Sequence, residues 1–122
     1  MSFVSSEELQ KLPELDSDEL DKLDFGAVKV DDEGIVKEYN QYESEMSGVE
    51  PEEAMGRNFF TEVAPCTNNQ LFYGQFQEGV EAGELDQEMD YTFTYKMQPT
   101  NVKIRLYRDR DSETNWVLVK TK

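Results

Sequence analysis

The 122-residue chain predicts an α+β domain: a central five-stranded antiparallel sheet with helices on one face and an N-terminal helical cap. Three observations lead there. The hydrophobic period changes near Asp24 from helical to alternating. A block of short helices and one longer helix follows the first two strands. Three alternating segments then finish the chain.

The elements follow in order. Residues 1–24 form the cap, with a first helix over Ser5–Leu12 opened by a Ser5/Glu8 capping box. Pro13 separates it from a second helix over Ser17–Leu23, where Asp16 and Glu19 supply the cap. Leu9, Leu12, Leu15, Leu20 and Leu23 are too few to hold such short helices alone, so they must lie on the core, residues 25–122. "FGAVKV", the turn "DDEG" and "IVKEYN" read as a β-hairpin over residues 25–40. Residues 41–66 carry the punctuation of short helices and loops. Pro51 suits a first helical turn, with Glu52 and Glu53 after it and Gly56 at its end. Phe72, Phe76 and Val80 stack at helical spacing in a longer helix over residues 72–83, which Gly83 closes. The strands "MDYTFTYKM", "TNVKIRLYRDR" and "NWVLVKTK" end the chain, joined at "QP" and "DSET". This element order matches the PAS fold, in which the helical block crosses one face of a five-stranded sheet and leaves a ligand pocket between.

Composition narrows the function. A hydrophobic content of 37% with 11% aromatics supports one folded domain. Twelve basic against 27 acidic residues give a net charge of −15, which repels nucleic acid phosphates and anionic membranes. No apolar run is long enough for a span, and the start lacks a signal-peptide pattern. One cysteine forms no internal disulfide, so a reducing, cytoplasmic setting is expected. The chain has no histidine, which removes Ser-His-Asp and Cys-His nucleophile systems and His-bearing zinc sites. Asp31-Asp32-Glu33-Gly34 lacks the spacing of a calcium loop and reads as an acidic β-turn.

The lone thiol, Cys66, sits in "NFFTEVAPCTNNQLFYGQF", residues 58–76, the most aromatic part of the sequence. A lone cytoplasmic cysteine is by default an inert core residue. The segments "YNQYESEMSG" (39–48) and "NFFTEVAPCT" (58–67) point elsewhere. Together with "LDFGAVKVDDEG", "FYGQFQEGV", "YTFTYKMQPT" and "WVLVK", they resemble the photoactive yellow proteins, small bacterial blue-light receptors of the PAS class, over nearly the whole chain. The resemblance implies a p-coumaric acid (4-hydroxycinnamic acid) chromophore held as a thioester on Cys66. It implies that Tyr39 and Glu43 hydrogen-bond the chromophore's phenolate and that Ser47, where the family usually has threonine, supports the tyrosine. Phe59, Pro65, Tyr91, Phe93 and Met97 match pocket residues. Val49 stands where the family commonly places an arginine lid, and Tyr42 where a small residue is common; both departures bear on the pocket's solvent gate.

The chemistry agrees with that resemblance. A thiolate accepts an activated acyl group readily, and without histidine no evident base would hydrolyse the product, so the adduct persists. A buried phenolate needs charge-assisted hydrogen bonds. Tyr39 supplies one; Glu43 supplies another only when protonated, since two anions in contact repel. The expected function is a blue-light photoreceptor without enzymatic turnover. Isomerisation breaks the phenolate's contacts, Glu43 gives up its proton, and the new buried charge loosens the N-terminal cap to signal. The alternative is a light-independent PAS interaction or ligand-binding module, with acyl transfer through Cys66 third. The expected partner is an unidentified downstream signalling protein, with the chain itself a monomer or weak dimer. Among the aromatics, Phe60, Phe72 and Phe76 are expected in the core, and Trp116 in sheet packing beneath the cap.

Overall fold

A computed structural model describes residues 4–93 and 99–121 of the chain. Five strands form one antiparallel sheet in the order β2-β1-β5-β4-β3: β1 is Gly26–Val30, β2 Val36–Tyr39, β3 Asp86–Phe93, β4 Thr100–Asp109 and β5 Thr114–Thr121. The central strand β5 is buried from Asn115 to Val119 without alternation, because both faces of the sheet are covered. One face packs Val28, Val117, Val119, Ile104 and Leu106 against Phe59, Phe60, Phe72 and Phe76. The other packs Ala27, Trp116 and Leu118 against the N-terminal segment. Strand alternation thus sends neighbouring residues to two separate cores.

The N-terminal segment folds as its caps dictate. Helix α1 (Ser6–Lys11) and helix α2 (Ser17–Asp21) each open with a complete capping box, Ser5 with Glu8 and Asp16 with Glu19. A 3-10 turn over Leu12–Glu14, with Pro13 in it, joins them. Leu9, Leu12 and Leu20 are buried against Phe25, Trp116 and Leu118, and Leu15 and Leu23 are partly buried there. Burying a leucine contributes roughly 1.5–3 kcal/mol, so these contacts, rather than helix propensity, hold six- and five-residue helices in place.

The β1–β2 hairpin closes as an acidic turn. The Asp31 carboxylate accepts from the backbone N–H groups of Glu33 and Ile35, both at 2.9 Å. After β2 come helix α3 (Gln41–Ser47) and helix α4 (Pro51–Ala54), the latter with Pro51 in its first turn. Wide π-helical turns over Phe59–Val63 and Gln70–Gly74 flank a 3-10 turn over Pro65–Thr67. Helix α5 runs Gln75–Ala82, shorter than the helix expected over residues 72–83. The Asn69 side chain accepts from the Phe72 N–H and starts a wide turn before the α-helical pattern begins. Strand β3 begins at Asp86, ahead of the expected Met89. It is an outer strand with mostly exposed residues, so no apolar alternation marks its start. Residues 94–97 of the expected third strand lie outside the described residues.

Candidate functional site

Tyr39 ends β2, and its side chain turns back under α3. Asn40 then caps that helix: its Oδ1 accepts from the Glu43 N–H at 3.2 Å and from the Ala27 N–H at 2.9 Å. Its Nδ2 donates to the carbonyls of Leu20 (2.9 Å) and Phe25 (3.0 Å). Four bonds leave this carboxamide fully used although only 1% of it is exposed. Glu43 occupies the first turn of α3 and is buried. Gly48 stops the helix in the left-handed region at φ 79°, where a side chain is disfavoured.

The carboxyl of Glu43 is 1% exposed. Burial alone pushes its pKa up from the ordinary 4.5 to about 8. Two effects compete here. A helix N-terminus favours a carboxylate by roughly 0.3–1 kcal/mol, up to about 2, whereas desolvating a charge costs several kcal/mol. Desolvation wins, so the site favours the neutral form of Glu43. Its Oε1 is buried with no hydrogen-bond partner among the described residues. Tyr39 lies beside it, its pKa raised by burial first and by the Glu43 charge second, against a lowering hydrogen bond from Ser47. The hydroxyls of Tyr39 and Ser47 are 2.7 Å apart. Ser47 Oγ also accepts from the Val49 N–H at 3.2 Å. Either hydroxyl of the pair can be the donor, and the Val49 bond holds Ser47 Oγ in place beside Tyr39.

A narrow cavity with room for about one water joins these groups to the thiol. Its lining is Tyr39, Glu43, Ser47, Val63, Ala64, Cys66 and Phe93. Cys66 is partly exposed, in the 3-10 turn that Pro65 begins. The backbone of that turn is pinned twice: the Tyr91 hydroxyl donates to the Cys66 carbonyl, and Asn69 Nδ2 donates to the same oxygen at 3.2 Å. The Thr67 hydroxyl donates to the Ala64 carbonyl at 2.7 Å. The thiol is thereby held on a fixed backbone at the cavity edge.

Of the expected pocket residues, Tyr39, Glu43, Ser47, Cys66 and Phe93 meet in the cavity. Phe59 is instead fully buried in the aromatic core beside Phe60. Pro65 is exposed at the start of the cysteine turn. Tyr91 acts on the Cys66 backbone and packs edge-on to Phe72 and Phe93. Val49 is buried in the core and reaches the site only through its N–H. Met97 lies outside the described residues. Tyr42 does not line the cavity; one helical step from Glu43, it projects the other way and bonds Thr121, with 3.0 Å between the hydroxyls. Sequence reasoning missed Val63 and Ala64, which line the cavity as plain apolar residues and carry no signal of their own. It also missed Gly26 and the bonding of Asn40, although Tyr-Asn preceding Glu43 marked the latter's place.

The donor set suits a phenolic ligand tethered at one end. An orphaned buried carboxyl oxygen, a tyrosine hydroxyl paired with a serine hydroxyl and a partly exposed thiol share one cavity. No group of three or more histidine, cysteine or acidic side chains among the described residues could hold a metal ion. Nor is any helix among them long and apolar enough to cross a membrane.

Comparison with known proteins gives this site its context. The PAS-fold family model matches residues 15–120. The photoactive yellow protein of Rhodothalassium salexigens is 41% identical over 102 residues, covering 84% of this chain and 82% of that protein. That of Halochromatium salexigens is 38% identical over 118 residues, covering 97% and 94%. The photoactive yellow protein domain of the sensor histidine kinase Ppr from Rhodospirillum centenum superposes with a TM-score of 0.85 at 41% identity, covering 91% of this chain and 97% of that one. A PAS domain from Haloarcula marismortui, 14% identical with a TM-score of 0.63, shares the fold. The chain belongs to the photoactive yellow protein family and has the PAS fold.

Proposed function

We propose that this protein is a blue-light photoreceptor whose chromophore is p-coumaric acid, bound as a thioester to Cys66. The observation that carries the reading is the single cavity joining the Cys66 thiol to an unpartnered, buried Glu43 carboxyl and to the Tyr39–Ser47 hydroxyl pair. Family membership supports it. When bound, the chromophore supplies visible absorption and a double bond that isomerises in light.

The chain's own residues do the rest. Cys66 anchors the acyl end on a turn fixed by Tyr91 and Asn69. Tyr39 and a protonated Glu43 would donate hydrogen bonds to the phenolic oxygen, and Ser47, 2.7 Å from the Tyr39 hydroxyl, holds that hydroxyl in place. Phe93, Val63 and Ala64 exclude water and so strengthen those bonds. After light, Glu43 would pass its proton to the chromophore's phenolic oxygen and be left a buried carboxylate whose Oε1 has no partner among the described residues. That state costs several kcal/mol, a large part of the roughly 5–15 kcal/mol that holds a domain together. The N-terminal helices, which rest on a few leucines, release first. A downstream protein would read that release.

The test is chemical. Activated 4-hydroxycinnamate should add once to the full chain and give a yellow protein that bleaches in blue light, while Cys66→Ala treated alike stays colourless. A yellow Cys66→Ala protein that keeps its chromophore through denaturation would overturn the attachment site.

A further inference from the structure

Backbone freedom is not the reason for glycine at position 26. Gly26 opens β1 opposite Val119 of β5 and is not among the glycines with positive φ, so an L side chain would meet no backbone strain there. Space forbids it instead. An alanine Cβ at this position would lie 2.2 Å from Glu43 Oε1, and 3.3 Å from both Cβ and Cδ of Glu43. The nearest of those atoms, Oε1, is the buried oxygen that has no hydrogen-bond partner among the described residues.

We propose that the missing side chain of Gly26 is the seat of the Glu43 carboxyl, which makes Gly26 a positioning residue for the group that holds the proton. This rests on the role given to Glu43 above and adds what fixes its place. No group among the described residues bonds Oε1, so on that side of the carboxyl shape fixes its place. The wall is the β1 backbone, approached more closely than any side chain would allow. Alanine would drive the carboxyl out of this seat toward the cavity. The titratable groups facing Glu43 there are Tyr39, from β2, and Cys66, from the cysteine turn. The Tyr39 and Ser47 hydroxyls would then reach the carboxyl and favour its charged form. The clash is with the far end of a flexible side chain, so the fold itself survives.

A double-mutant cycle on the ligand-free full chain tests the seat. Gly26→Ala alone should lower the melting temperature by several degrees. In a Glu43→Ala background the space is vacant, and the same substitution should leave the temperature unchanged or raise it. The infrared band of the Glu43 carboxyl, followed against pH in isotope-labelled protein, should titrate at lower pH in Gly26→Ala than in wild type. Equal losses of melting temperature in both backgrounds would overturn the proposal, as would an unmoved Glu43 titration. If Gly26→Ala fails to fold but the double variant folds, the seat stands; if both fail, it falls. None of these readings needs a chromophore, so failure of p-coumarate to attach would defeat the proposed function and leave this result intact.

Discussion

Replacing Glu43 by glutamine should change how stability depends on pH, with a magnitude the site itself sets. The folded protein holds the Glu43 proton up to about pH 8, whereas the unfolded chain releases it near 4.5. Between those values the folded state binds more protons, so stability falls as pH rises and then levels off above about 8. At roughly 1.4 kcal/mol per pH unit, the whole window amounts to about 5 kcal/mol. Entry of water or small shifts would shrink it, since buried groups relax. Asp32 acts with the opposite sign. Its pKa is lowered chiefly by a hydrogen bond from Asn115 and then by Arg108, so its contribution is present above the unfolded value and lost only in acid. Urea unfolding of ligand-free protein, followed by Trp116 fluorescence from pH 5 to 9, separates the two. Wild type should lose several kcal/mol between pH 5 and 8, and Glu43→Gln should lose little of it. Parallel pH profiles for the two proteins would refute a buried neutral Glu43.

Two further outcomes follow from the same geometry. Ser47→Ala removes the partner of a buried tyrosine hydroxyl and the acceptor of the Val49 N–H; it should cost about 1–3 kcal/mol in urea unfolding and shift the visible band of the loaded protein. Unchanged stability and colour would show that the Tyr39 hydroxyl is held by something else. Hydrogen exchange under blue light should speed up in residues 4–23 more than in the β4–β5 pair, and a light-indifferent N-terminus would place the output surface elsewhere.

Local chemistry was legible in the sequence wherever one short segment contains its own reason. Ser5 with Glu8 and Asp16 with Glu19 are complete signals, and both form as capping boxes. Alternation likewise announced β4, and an apolar run announced β5, while the start expected for β3 was too late because its first residues, Asp86 to Glu88, are exposed on an outer strand and alternate nothing. The site divides the same way. Tyr39, Glu43, Ser47 and Cys66 were legible through motifs, and they share the cavity. Tyr42 was legible only as a departure. Its true partner, Thr121, is 79 residues away in the chain, and no local pattern encodes such a meeting. Gly26 is invisible for a related reason: its meaning is the size of a neighbour 17 positions later.

The fold makes one carboxamide answer to both halves of the site's task. Strand β1 sits between two cores, with Val28 facing the aromatic side and Ala27 facing the N-terminal helices. Asn40 bonds the Ala27 N–H, the Glu43 N–H and the carbonyls of Leu20 and Phe25. Helix α3, which carries Glu43, and the N-terminal segment are therefore tied through one side chain. A carboxylate formed at Glu43 gains little from the helix N-terminus and loses much to burial, so relief requires α3 to shift toward water. Any such shift strains the Asn40 bonds, among them the one to the carbonyl of Leu20 in a five-residue helix. The β1 ladder, held along its length by β5, has no comparable freedom to yield.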